Sequence, residues 1–185
     1  GIIKRLSRNE DGSPKVVTTN FDKLFEFNDD TVTYWEPPVF PDLASGVNLE
    51  GVVYLHGRLK DISERTHPYI LSSADFGRAY LAEGWATKFI LQLLDTYTLV
   101  LVGYQAEDPQ VKYLLQGLNH NEDFDRSKIF AFDKGDTENV ESKWRDRGVT
   151  GVAYSEHADL WETLSIWADK IDNPKEWRAN TLKLA

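Results

Sequence analysis

The chain has 185 residues, 41% hydrophobic and 28% charged, with a formal net charge of −9. That suffices for one globular domain with its own core, and it excludes a disordered chain and a lysine- and arginine-lined nucleic-acid surface. Cysteine is absent, which excludes disulfides and any cysteine-held zinc; no metal site is expected.

No apolar run approaches the roughly 18 residues that cross a bilayer, so no membrane contact is expected. The opening Gly-Ile-Ile-Lys-Arg-Leu lacks the apolar core of a signal peptide, which points to a cytoplasmic location. Methionine is absent, even at position 1, so the chain is expected to be part of a longer protein.

Residues 1–8 read as the tail of a helix, followed by a turn over 9–14. Residues 15–19 read as a strand and 21–27 as a short helix with Phe21, Leu24 and Phe25 on one face. Residues 31–35 alternate as a strand does. Three prolines within 36–41 demand an extended loop. Residues 51–55 form a second core strand, 58–67 a charged irregular loop or small lobe, and 69–71 a short strand. Ser72 or Ser73 caps a helix reaching Ala82.

Trp85, Phe89, Ile90, Leu93 and Leu94 recur at helical spacing, which predicts a buried helix over 85–94. Residues 97–102 are continuously apolar, as a buried parallel strand should be. Asp108 and Pro109 open a helix through Gly117. A strand over 128–132, a charged helix over 138–147, a strand over 151–154 and an amphipathic helix over 159–171 complete the pattern. Strands alternating with helices predict a Rossmann-like three-layer α/β fold with a mostly parallel sheet. Residues 1–171 form that domain, and 172–185 read as a tail or linker to a further domain.

Three of these strands end in polar or glycine residues. Thr18, Thr19, Asn20 and Asp22 follow the first, His56 and Gly57 the second, and Gly103, Tyr104 and Gln105 the third. Ligands of open α/β sheets bind at such C-terminal strand edges. Asn20 also reads as a helix N-cap, Asp22 as an acid favoured by the helix dipole, and His56 as a structural histidine. Gly57 permits close backbone or ligand approach, and Gly103 permits backbone contact with a phosphate or ribose or serves as a turn glycine. Asp108 reads as a helix cap. Asp133 follows the 128–132 strand, where doubly wound folds place a ribose-binding acid.

The series Thr-Thr-Asn-Phe-Asp, Leu-His-Gly and Leu-Val-Gly-Tyr-x-x-x-Asp-Pro resembles the sirtuin-like domain of bacterial proteins. More narrowly, it is similar to the zinc-free branch found in NAD-consuming anti-phage defence proteins, from about Val16 to Ala168. The resemblance implies that NAD is the substrate and that its nicotinamide–ribose bond is hydrolysed without a metal. It implies that His56 is the base, that Asn20 positions the ribose and water, and that Asp22 meets the carboxamide. Thr18, Thr19, Gly57, Gly103, Tyr104, Gln105 and Asp133 then join the cofactor-binding set. Tyr104 and Gln105 stand where deacylating members carry hydroxyl residues.

Such domains open with a strand and a glycine-rich loop that holds the diphosphate on a helix N-terminus. Nothing before Lys15 fits, so both are expected to be absent from this chain. A catalytically silent NAD or ADP-ribose sensor is the second reading, and a protein deacylase the third. Trp161, Trp167 and Trp177 read either as core or as a surface for self-association or for other domains of a larger protein.

Overall fold

The computed structural model describes residues 1–27, 31–59, 69–118 and 125–184. Its strands are β1 (Lys15–Thr18), β2 (Tyr34–Trp35), β3 (Gly51–Tyr54), β4 (Leu99–Leu101), β5 (Ile129–Lys134) and β6 (Thr150–Tyr154). Its helices are α1 (Ile2–Leu6), α2 (Ser73–Gly77), α3 (Trp85–Thr96), α4 (Pro109–Leu118), α5 (Thr137–Arg145), α6 (His157–Asp172) and α7 (Pro174–Leu184). The α/β class and the parallel strands agree with the Rossmann-like arrangement expected from the sequence.

The strands form two parallel sheets, ordered β1-β3-β2 and β4-β5-β6. Edge strands β1 and β4 line one groove together with Ile3 of α1. They run in the same direction, because contacts join their starts and their ends. Lys15 Nζ lies 5.6 Å above the Tyr97 ring, and Thr19 Oγ1 lies 2.5 Å from Tyr104 Oη. Side chains, rather than a backbone ladder, therefore bridge the two sheets at this line.

Burial follows the apolar pattern. Val52, Val53 and Tyr54 in β3 and Ile129 and Ala131 in β5 are fully enclosed. Helix α3 buries Ala86, Phe89, Ile90, Leu93 and Leu94, and Phe89 stacks on Phe40 with ring centroids 5.0 Å apart. Trp144 of α5 is fully buried beside Gly151, where a Cβ would come within 2.8 Å of the Val140 carbonyl oxygen.

Several expected elements differ. Residues 21–27 are turns rather than a helix. The Leu24 amide donates to Asp22 Oδ1 at 3.0 Å, a local bond that competes with helix formation. Leu24 is 73% exposed, while Phe21 packs on Tyr69 and Phe25 on the Val16, Val52 and Tyr54 cluster, so the three do not share one buried helical face. The 31–35 strand is limited to Tyr34–Trp35. At 69–71 there is no strand, only the Ile70 amide donating to the His56 carbonyl at 3.0 Å.

Ser72 opens α2 with a reciprocal capping box to Asp75, as its sequence suggests. The helix expected to reach Ala82 instead widens into a π-turn at Arg78–Ala82. The segment read as a tail or linker is helix α7, with Lys170 Nζ 4.6 Å above the Trp177 ring. Trp161 and Trp167 each remain 45% exposed. Of the loop read over 58–67, positions 60–67 lie outside the described residues.

Candidate functional site

The C-terminal ends of β1 and β4 open onto a cavity of about 490 Å³ lined by Thr18, Thr19, Asn20, Gly103, Tyr104 and Asp108, among others. Thr18 is buried, and its Oγ1 accepts the Asn20 amide at 3.1 Å. That bond turns the chain sharply after β1 and leaves the Asn20 residue exposed. Gly103 turns the chain after β4 at φ +82, a conformation that favours glycine. A Cβ there would meet nothing within 4 Å, so the space beside it is open. Burial pushes the Tyr104 phenol up, so it stays protonated and can donate.

Five expected site residues thus meet at one cavity: Thr18, Thr19, Asn20, Gly103 and Tyr104. The others stand elsewhere. Asp22 spends Oδ1 on the turn described above. The Gln105 amide donates to Asp108 Oδ2 at 2.7 Å, so Asp108 closes the loop after β4. Asp133 lies within β5, buried, and accepts from Trp144 Nε1 at 3.0 Å and Lys143 Nζ at 3.4 Å. It braces α5 on the sheet and is not among the residues lining the cavity.

His56 is only 1% exposed and is likewise not among them. Its Nε2 lies 2.7 Å from Tyr80 Oη, and the Phe76 ring meets the imidazole edge to face at 5.0 Å. Burial pushes the imidazole down to about 4, so at neutral pH it is uncharged, one ring nitrogen carrying a proton and the other a lone pair. Gly57 has φ +105, and a Cβ there would come 2.8 Å from the Tyr69 ring. Glycine is therefore required by packing at this position.

Two features escaped the sequence reading. Tyr80 lines the cavity yet belongs to no motif; its spacing of four from Phe76 was the available signal. The second is a charged clamp behind the turn at 24–27. Arg58 Nε donates to Glu26 Oε1 at 2.7 Å, and Tyr54 Oη donates to the same oxygen at 2.5 Å. Arg58 also lies 3.9 Å from the Tyr34 ring centroid. Burial pushes Glu26 up, but the bonds from Arg58 and Tyr54 hold it below the usual carboxylate range.

Among the described residues, no group of three or more histidine, aspartate or glutamate side chains could hold a metal ion. No described helix is long and apolar enough to cross a membrane.

A family model described as "SIR2-like domain" matches residues 14–151. The chain is 33% identical over 192 aligned residues to the uncharacterized protein y4cA of Sinorhizobium fredii (strain NBRC 101917 / NGR234). That alignment covers 94% of this chain and 16% of that protein.

Proposed function

The chain belongs to the SIR2-like domain family, and on that premise we propose that it hydrolyses the nicotinamide–ribose bond of NAD, releasing nicotinamide and ADP-ribose. The observation that carries this reading is the meeting of Thr18, Thr19, Asn20, Gly103 and Tyr104 at one cavity on the C-terminal strand edges. Neutral hydroxyl and amide groups suit a sugar, because they orient its hydroxyls without adding charge.

Nicotinamide leaves as a neutral molecule from a cationic ring, and the ribose carbon becomes oxocarbenium-like, as in other glycoside cleavages. The site therefore needs orientation and a placed water more than a strong acid. Asn20 can accept from the water and donate to a ribose hydroxyl. His56 is the base that finally receives the proton. Asp22 remains the proposed partner of the carboxamide and Gln105 a member of the cofactor-binding set. Each requires its loop to turn toward a bound substrate, since neither is among the residues lining the cavity.

Nicotinamide release by the full-length protein tests the reading. The Asn20→Ala variant should lose about 10²-fold or more in turnover and keep its fold, since a positioned group contributes on this order. Wild-type turnover in that variant would overturn the assignment.

A silent NAD or ADP-ribose sensor is the second reading, and the burial of His56 favours it. It requires ligand binding with no nicotinamide released. A protein deacylase ranks below both, because the chain has no cysteine for the zinc lobe that deacylating relatives carry. We also propose that the longer protein is a cytoplasmic effector of anti-phage defence whose hydrolase waits for a trigger.

A further inference from the structure

His56, 1% exposed, does not line the cavity, whereas Tyr80, 2% exposed, lies along its wall. Tyr80 lines the cavity with Thr19, Asn20 and Tyr104, and its hydroxyl is 2.7 Å from His56 Nε2. The two rings meet edge to face at 5.8 Å and 83°. The phenol is held in that pose. Phe76 stacks along it at 6.2 Å, and Thr87 Oγ1 donates to the Tyr80 carbonyl at 2.7 Å. Its backbone is the π-turn Arg78–Ala82, a rare widening that is frequent at functional sites.

We propose that Tyr80 is a catalytic residue of this site, its phenol meeting the attacking water and passing a proton back to His56. The inference rests on the hydrolase reading above. In the step, a water lone pair forms the new C–O bond at the ribose carbon. The C–N bond pair leaves with nicotinamide, neutralising the pyridinium. The water proton goes to Tyr80 Oη as the phenolic proton goes to His56 Nε2. The positive charge that began on the pyridinium thus ends on the imidazolium, which later gives its proton to solvent. Burial keeps the resting imidazole neutral, with a lone pair for the phenolic proton, and equally disfavours the imidazolium, which therefore passes its proton on to solvent.

The test uses the full-length protein and compares wild type, Tyr80→Phe, His56→Gln and the double variant. Phenylalanine keeps the ring packing and removes only the hydroxyl. Glutamine keeps an acceptor for that hydroxyl and removes the base. Each single variant should lower kcat by about 10²-fold or more, with KM and the unfolding midpoint little changed. The double variant should be no worse than the poorer single one, because groups that act as a unit do not add. Nitrogen NMR of the imidazole should show the His56 Nε2 signal moving in Tyr80→Phe.

Wild-type turnover in Tyr80→Phe would overturn the relay. A rise would also overturn it, and would make Tyr80 a plug over His56. Multiplying losses in the double variant would overturn it too, as would an unmoved Nε2 signal. If Tyr80→Phe turns over normally while Asn20→Ala does not, hydrolysis stands and only the relay falls. If the wild type releases no nicotinamide, both fall.

Discussion

His56 couples its burial to stability. Its pKa in the folded chain is about 4, against about 6.5 when unfolded. As pH falls, the unfolded state takes the proton first. The contribution is therefore complete above about pH 6.5 and is lost as pH falls toward 4, for a total of about 3 kcal/mol. Urea unfolding at pH 7 and at pH 4.5 should show a larger loss for wild type than for His56→Gln; equal losses would mean an imidazole open to water. The sequence made His56 legible as chemistry through the glycine beside it and the strand before it. It could not show the enclosure, because Phe76 and Tyr80 reach His56 from a helix about twenty residues on. Asp133 is the converse case. Its place after an apolar run suggested ribose, but Trp144 and Lys143 both donate to its Oδ2, and those partners are known only once α5 is docked.

At the scale of elements, helix α3 was the most legible because its apolar residues repeat on more than one face. Phe89 is 2% exposed and stacked on Phe40, so Phe89→Ala should cost about 3–5 kcal/mol in urea unfolding. A cost below about 1 kcal/mol would place it at the surface. The β2–β3 junction was less legible. Gly51 has φ +103, and a Cβ would come 2.1 Å from the Thr33 carbonyl oxygen. Val52 donates to that same oxygen at 2.9 Å. Gly51→Ala should therefore destabilise by roughly 1–3 kcal/mol by overpacking, and a thermal unfolding midpoint equal to wild type would refute that geometry. The 21–27 segment misled because its apolar residues sit at helical spacing while Phe21 and Phe25 pack in different places and Leu24 is exposed. Spacing reports a face; only the fold reports whether that face is covered.

For the whole molecule, the motif order at three strand ends carried the family, and the groove between β1 and β4 sets what the family can do here. Thr18, Thr19, Asn20 and Tyr104 bring groups suited to a sugar to that cavity. As a triggered effector, that protein should leave cellular NAD steady until phage infection and deplete it afterwards, with Asn20→Ala abolishing depletion and protection together. Protection retained at steady NAD would favour the sensor. Hydrolysis itself is tested most directly by incubating the full-length protein with NAD in heavy-oxygen water and weighing the products. Hydrolysis requires free nicotinamide and ADP-ribose carrying one heavy oxygen, in amounts lost with Asn20→Ala. Intact NAD, a cyclised product or ADP-ribose passed to an acyl group without heavy oxygen would contradict it.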